Sequence, residues 1–288
     1  MSLRVRVAAG LLGLTAVGCL SVPASSLAAG TVTCDFSSHT LAVSATDAFT
    51  RLSRGGNAIN VDDGIHPPLN CTGGNANVNN TDLITVAHTG TNSNMIDLKG
   101  GPFEPGLATE PSGLAEIEIQ YLGTSYVDIR ATSSTDHLGL GAGGADLNGD
   151  GDVDVTGDFS TILLEGQGGN DVIGPVAGYT GTSGRRILNG GPGNDVITST
   201  RDGAVVHGGD GDDKLIGGRK ADNLTGGTGR DVIKGGKGPD LIRAIDNDRD
   251  IVNCGPGIDR VKQDGIDKVK NCERLLRVKQ SKPVKGKK

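Results

Sequence analysis

The chain has 288 residues with 48 Gly, three Tyr, four Phe and no Trp, too much glycine and too few large rings for an ordinary globular core. The glycines keep no three-residue period, which excludes collagen, and the aliphatics between them are ordered, which excludes a flexible linker; a repeat solenoid remains. The formal net charge is -6, unevenly placed: Asp clusters in the glycine-rich centre, while the last ten residues, KQSKPVKGKK, hold five Lys. Carboxylates repeated in register require a neutralising partner.

Residues 1–29 read as an export signal. Arg4 and Arg6 form a basic start, VAAGLLGLTAVGCLSV an apolar stretch, and SSLAAG offers small residues for cleavage near Ala28 or Ala29. A second reading places cleavage before Cys19 with a lipid anchor there, although Ala16 stands where such sites usually carry Leu. The apolar run before Pro23 is shorter than the roughly 20 residues a membrane span needs, and no later segment is apolar enough, so a secreted mature chain with no transmembrane segment is expected. Besides Cys19 the chain has Cys34, Cys71, Cys254 and Cys272. An even number in an exported chain suggests two disulfides, and their order suggests Cys34–Cys71 and Cys254–Cys272. Zinc is disfavoured, because there is no CxxC pair and the histidines are scattered.

Residues 30–164 are expected to be β-rich, either a lead-in to a solenoid or a sandwich. Short apolar runs such as TVTCDF and TLAVSAT alternate with Asn, Gly and Ser; from about residue 81, LITVAH, MIDLKG, EIEIQYLG, YVDIRAT and HLGLGAG read as strands. GGPFEPGLATEPSG, residues 100–113, has three prolines and reads as a loop. DLNGDGDVD, residues 146–154, places Asp146, Asn148, Asp150, Asp152 and Asp154 as in an EF-hand cation loop. The acid that should close such a loop is missing, since Gly157 stands there, and no amphipathic helix flanks it; a strand-turn-strand piece of the solenoid is the rival reading.

Residues 165–273 repeat one nine-residue unit: Gly, Gly, any, Gly, any, Asp, any, aliphatic, any. The units are GQGGNDVIG with Gly166, Gly169 and Asp171; GGPGNDVIT with Gly190, Gly191, Gly193 and Asp195; GGDGDDKLI with Gly208, Gly209, Gly211 and Asp213; GGRKADNLT with Asp222; GGTGRDVIK with Gly226, Gly227, Gly229 and Asp231; and GGKGPDLIR with Gly235, Gly236, Gly238 and Asp240. The last four are contiguous. Residues 175–189 interrupt the array and are expected to form a loop. After Asp240 the pattern decays, keeping Asp250 at a spacing of 10, then Asp259 and Asp267.

This unit resembles the GGxGxDxUx nonapeptide of the RTX, or hemolysin-type, calcium-binding repeat proteins of exported bacterial type. The resemblance implies an all-β fold with a parallel β-roll in the C-terminal half, two nonapeptides per coil, and Ca2+ as the bound ion. It implies that residues 18 apart stack: Asp195, Asp213 and Asp231 on one edge, Asp222 and Asp240 on the other. Stacked strands lie about 4.8 Å apart, which brings carboxylates of successive coils within reach of one ion. The glycines at unit positions 1, 2 and 4 are expected to take positive φ and turn carbonyls toward it, and the aliphatic is the coil's only core. Lys220 departs from the pattern at the fourth position and puts the Asp222 site in question. On this geometry Cys254 and Cys272, 18 residues apart, stand one coil from each other.

No catalytic motif is present: HExxH and GxSxG are absent, and His39, His66, His88, His137 and His207 stand alone. The expected function is an exported calcium-binding repeat protein whose roll folds on Ca2+ and which serves as a structural or surface-interaction module. The alternative is an exported hydrolase, directed at polysaccharide or protein, with its active site in the N-terminal region. Residues 274–288 form a basic tail, a candidate contact for anionic cell-envelope polymers; without interleaved aromatics it is not expected to bind nucleic acid.

Overall fold

A computed structural model describes residues 31–278 apart from 47, 64–66, 75, 78–80, 82, 90–92, 101–107, 110–114, 142–143, 149–152 and 177–183. The export signal with Cys19, residues 150 and 152 of the candidate EF-type loop, and the last ten residues of the basic tail lie outside that set. Among the described residues there is no α-helix; Leu98–Gly100 is a single 3-10 turn and the rest of the regular structure is strand.

The strands form two stacks that run the length of the described chain. The first begins with the antiparallel pair Thr31–Ser37 and Thr40–Thr46, adds Leu83–Thr89 in parallel, and continues through the first half of Glu118–Arg130 to the start of Val155–Glu165. Two antiparallel steps, Gly144–Asp146 and His137–Gly141, carry it to Val172–Pro175. From there it is parallel throughout: Val196–Thr198, Lys214–Ile216, Val232–Lys234, Ile251–Asn253 and Lys268–Lys270. The second stack starts with the hairpin of Ala58–Asp62 and Thr50–Gly55, then takes Ser93–Asp97 and the second halves of Glu118–Arg130 and Val155–Glu165. It continues in parallel through Arg185–Pro192, Val205–Asp210, Asn223–Thr228, Leu241–Ala244, Arg260–Gln263 and Arg274–Arg277.

The C-terminal half is therefore a parallel β-roll, and the region before it joins the same two stacks as a solenoid rather than forming a separate sandwich. Three expectations change in detail. EIQYLG and YVDIR are one 13-residue strand, Glu118–Arg130, whose two halves serve different stacks. Residues 175–189 are not all loop, because Arg185–Pro192 is a full member of the second stack. The tail starts later than residue 274, because Arg274–Arg277 is the last strand of that stack. The proline-rich 100–113 lies mostly outside the described residues; within it, Ala108–Thr109 pairs with Ala115–Glu116.

The core follows from the two-residue period of a strand. Thr40–Thr46 buries Leu41, Val43 and Ala45 and exposes the residues between them. In the roll each strand is so short that it contributes one inward aliphatic: Ile173, Ile197, Leu215, Ile233 and Val252 in the first stack, Leu188, Val206, Leu224, Ile242 and Val261 in the second, all fully buried. Ile197, Leu215 and Ile233 are register partners, as are Val206, Leu224 and Ile242, so each coil places its aliphatic directly on the last. The lead-in region adds an aromatic pair, Tyr121 and Phe159 edge to face at 5.6 Å. Both cysteine pairs are bonded, Cys34–Cys71 with Cα atoms 4.8 Å apart and Cys254–Cys272 at 5.2 Å. The second ties the terminal coils together where the nine-residue count has slipped.

Candidate metal site

Each nonapeptide turns through its glycines and delivers its Asp immediately before the short strand. In the first stack the backbone N–H groups of Asp136, Asp171, Asp195, Asp213, Asp231 and Asp250 donate to Oδ1 of Asp171, Asp195, Asp213, Asp231, Asp250 and Asp267 in turn, at 2.7–3.1 Å. In the second stack Ala204, Asp222 and Asp240 donate to Oδ1 of Asp222, Asp240 and Asp259 at 2.7–2.9 Å. Asp195, Asp213 and Asp231 thus line one edge, and Asp222 and Asp240 the other.

One oxygen of each carboxylate is fixed by this ladder. The other, Oδ2 of Asp171, Asp195, Asp213, Asp231, Asp240, Asp250 and Asp259, has no hydrogen-bond partner, and none of these residues is more than 2 % exposed. A buried carboxylate oxygen without a partner is strongly unfavourable unless a cation satisfies it. Burial raises the carboxyls of Asp171, Asp213, Asp240 and Asp250 from the ordinary 3.8 to about 7, and that of Asp231 to about 6. The backbone N–H on each opposes that rise, and neighbouring carboxylates add to it.

The first glycine of each unit faces these oxygens. A Cβ placed on Gly208 would stand 2.2 Å from Asp213 Oδ2 and 2.4 Å from the carbonyl oxygen of Gly226, one coil on. Gly166 and Gly190 repeat the arrangement with Asp171 and Asp195, and Gly226 approaches Asp231 Oδ2 in the same way. This corrects the expected role of the first position: Gly208 does not have a positive φ, and what it provides is space beside the carboxylate. The turn itself is made by the second and fourth positions, with φ of 130° at Gly209 and 129° at Gly211.

Carboxylate Oδ2 and glycine carbonyl oxygen, converging on a space that a methyl would fill, make an all-oxygen donor set. With no Cys or His in it, the set suits a hard cation such as Ca2+ rather than zinc. The residues present fit the ion that the nonapeptide pattern implies.

Asp222 is the exception. Its Oδ1 accepts from Ala204 and from the Ser199 hydroxyl, and its Oδ2 accepts from the Gly218 N–H at 2.7 Å. Both oxygens are satisfied within the protein, in the unit where Lys220 replaces the fourth glycine and pairs with Asp202 at 2.9 Å. The EF-like stretch is built differently again. Asp146 and Asp154 are buried at the base of the hairpin between Gly144–Asp146 and Val155–Glu165. There Asp154 Oδ2 accepts from Leu147 N–H at 2.6 Å, and Asp146 Oδ1 from Asn148 N–H at 3.1 Å.

Other members of the array escaped the motif. STRDGAVVH, residues 199–207, fills half a coil with Ala204 at the carboxylate position and Val206 in the core, so the 18 residues between Asp195 and Asp213 conceal a unit. Arg186 and Leu188 hold the same two positions one coil earlier. Asp250 and Asp259 carry the full carboxylate geometry although their units are degenerate, and the only sequence signal for them was the surviving spacing.

Compared with known proteins, the chain has no match among curated proteins and none among solved structures. Residues 180–201 and 207–242 do match a family model in four copies: this part of the chain is an array of RTX calcium-binding nonapeptide repeats, and calcium is its ion.

Proposed function

We propose that this calcium-binding repeat protein acts outside the cytoplasm, that its roll folds when it meets calcium, and that the folded surface serves as a structural or interaction module rather than a catalyst. The observation that carries the proposal is the file of buried, unpartnered Oδ2 atoms along the coil edges. Without a cation those carboxylates must be protonated or repel one another, and one aliphatic per strand is little core to hold nine residues against chain entropy. Binding and folding are then coupled. Calcium is scarce in the cytoplasm and abundant outside, so folding would wait for export.

Export is supported by the signal-like start of the sequence, by the two bonded cysteine pairs, which persist in oxidising compartments, and by the typical export of RTX repeat proteins. Among the described residues no helix is long and apolar enough to cross a membrane. The test is far-UV circular dichroism of the mature chain from chelator to millimolar calcium. A cooperative gain of β signal that the Asp213→Ala, Asp231→Ala double variant loses is expected; a spectrum already folded in chelator at neutral pH and unmoved by calcium would overturn the proposal.

A further inference from the structure

The step from Asp240 to Asp250 takes ten residues instead of nine, and it lies beyond residue 242, where the matched repeats end. The extra residue appears in the register, where Val232 pairs with Ile251, 19 residues on. It also changes the turn. In regular coils the N–H of the fourth glycine donates to a backbone carbonyl of the next coil, Gly193 to Asp210 at 2.7 Å and Gly211 to Thr228 at 2.8 Å. Here Gly229 N–H donates instead to Asp246 Oδ2 at 3.0 Å, while Asp248 N–H holds Asp246 Oδ1 at 2.9 Å. A full negative charge has replaced a neutral carbonyl.

Those two bonds fix Asp246 beside two carboxylates of the first-stack edge. One oxygen from each of Asp231, Asp246 and Asp250 lies within 4.8 Å of the others. Asp231 and Asp250 are 1 % and 0 % exposed, and each retains an unpartnered Oδ2. Among the described residues no Lys or Arg pairs with any of the three, and Asp248, Asp264 and Asp267 add further negative charge around them. Regular coils offer a cation one carboxylate per unit and glycine carbonyls; this place offers three carboxylates together.

We propose, building on the calcium-binding reading of the roll, that Asp231, Asp246 and Asp250 form a calcium site of their own, the tightest in the array. Calcium affinity rises with the number of charged ligands, so this site holds its ion at about tenfold lower free calcium than the nonapeptide sites. It anchors the C-terminal end of the roll, between the last matched repeat and the Cys254–Cys272 bond.

The experiment is equilibrium dialysis of the full mature chain against a series of calcium buffers, counting bound calcium per chain. The wild type should keep one equivalent at about a tenth of the free calcium at which the others leave. Asp246→Asn preserves shape and can still accept the Gly229 N–H, and it should lose that separate equivalent. Asp35→Asn, exposed in the first strand and outside the roll, should keep it. If the wild type binds no calcium, the calcium reading of the whole roll fails with this one. If the wild type binds but shows no separate equivalent, or Asp246→Asn titrates like wild type, or Asp35→Asn loses the equivalent too, this site alone is refuted. Should Asp246→Asn fall short of the wild-type circular dichroism in saturating calcium, the wild-type amide resonances of Gly229 and Asp248 decide. They must be the last to change as calcium is withdrawn; change in step with Gly193 and Gly211 refutes the site.

Discussion

Replacing Gly208 by Ala tests whether the space beside Asp213 is the place of the ion. The added methyl would stand 2.2 Å from Asp213 Oδ2 and 2.4 Å from the Gly226 carbonyl oxygen, overlaps of about 1 Å against ordinary contact. Neither oxygen can easily retreat: Asp213 Oδ1 is held by the Asp195 N–H at 2.8 Å, and the Gly226 carbonyl belongs to the backbone of the next coil. Because Gly208 has no positive φ, the substitution adds no left-handed strain, and its effect is confined to crowding. Overpacking of this kind costs about 1–3 kcal/mol, which corresponds to a fall of roughly 5- to 150-fold in the affinity of that one ion and a smaller shift of the shared midpoint. The assay is calcium-dependent far-UV circular dichroism together with bound calcium per chain, with Gly168→Ala alongside, since Gly168 has no positive φ and a Cβ there meets nothing closer than 3.8 Å. Gly208→Ala should shift the midpoint and remove one ion, whereas Gly168→Ala should change neither. If Gly208→Ala binds the wild-type number of ions at the wild-type midpoint, the oxygens around Asp213 are not the ion's ligands.

Asp213→Asn should remove one bound ion, while Asp222→Asn should leave the count unchanged because Asp222 Oδ2 is already taken by Gly218 N–H; equal losses would refute the distinction. In chelator, pH should act in the direction opposite to ordinary acid denaturation. Carboxyls raised from 3.8 to about 7 contribute stability that is present below about pH 4 and lost as pH rises toward 7, so β signal should fall over that window; a flat or rising signal refutes it. Cys272→Ser should release about 3 kcal/mol of constraint on the terminal coils, seen as faster amide exchange in Lys268–Lys270 with Lys214–Ile216 unchanged. Ile233→Ala, at a fully buried position, should cost about 2–5 kcal/mol and raise the calcium midpoint.

What the sequence made legible is what the chemistry restricts to few residue types. A turn at φ near 130° calls for glycine, a ligand for Asp, and the single inward position of a three-residue strand for an aliphatic, so those units announce themselves. A half-coil without an ion has no such restriction. Residues 199–207 needed only Val206 facing inward and an N–H at Ala204, and any sequence meeting that is silent. Asp246 was hidden because the inserted residue breaks the count that would have flagged it. In the lead-in region the strands were legible but their order was not. Leu83–Thr89 pairs with Glu118–Arg130 across some thirty residues, and parallel pairing at that distance leaves no local mark. The division of Glu118–Arg130 into two segments had a physical basis too: its pairing with Val155–Glu165 slips register near Asp158 and Phe159, where Gly123 and Thr124 look like a turn.

The two edges of the roll are not equivalent, and the difference bears on how calcium can build it. The first-stack edge presents unpartnered oxygens from Asp171 through Asp195, Asp213, Asp231 and Asp250 without a gap. The second-stack edge begins with Arg186 and Ala204 at the carboxylate positions, continues with the self-satisfied Asp222, and offers its first unpartnered carboxylate oxygen only at Asp240. Over the coils from Arg186 to Asp222, one side can therefore close on hydrogen bonds and buried aliphatics, while the other requires a cation at every coil. From Asp240 onward both sides carry unpartnered carboxylates, and the chain adds there the third carboxylate of Asp246 and the Cys254–Cys272 bond. Dependence on the ion thus grows toward the C terminus, and the covalent tie stands where the hydrogen-bonded side can no longer hold the coil alone.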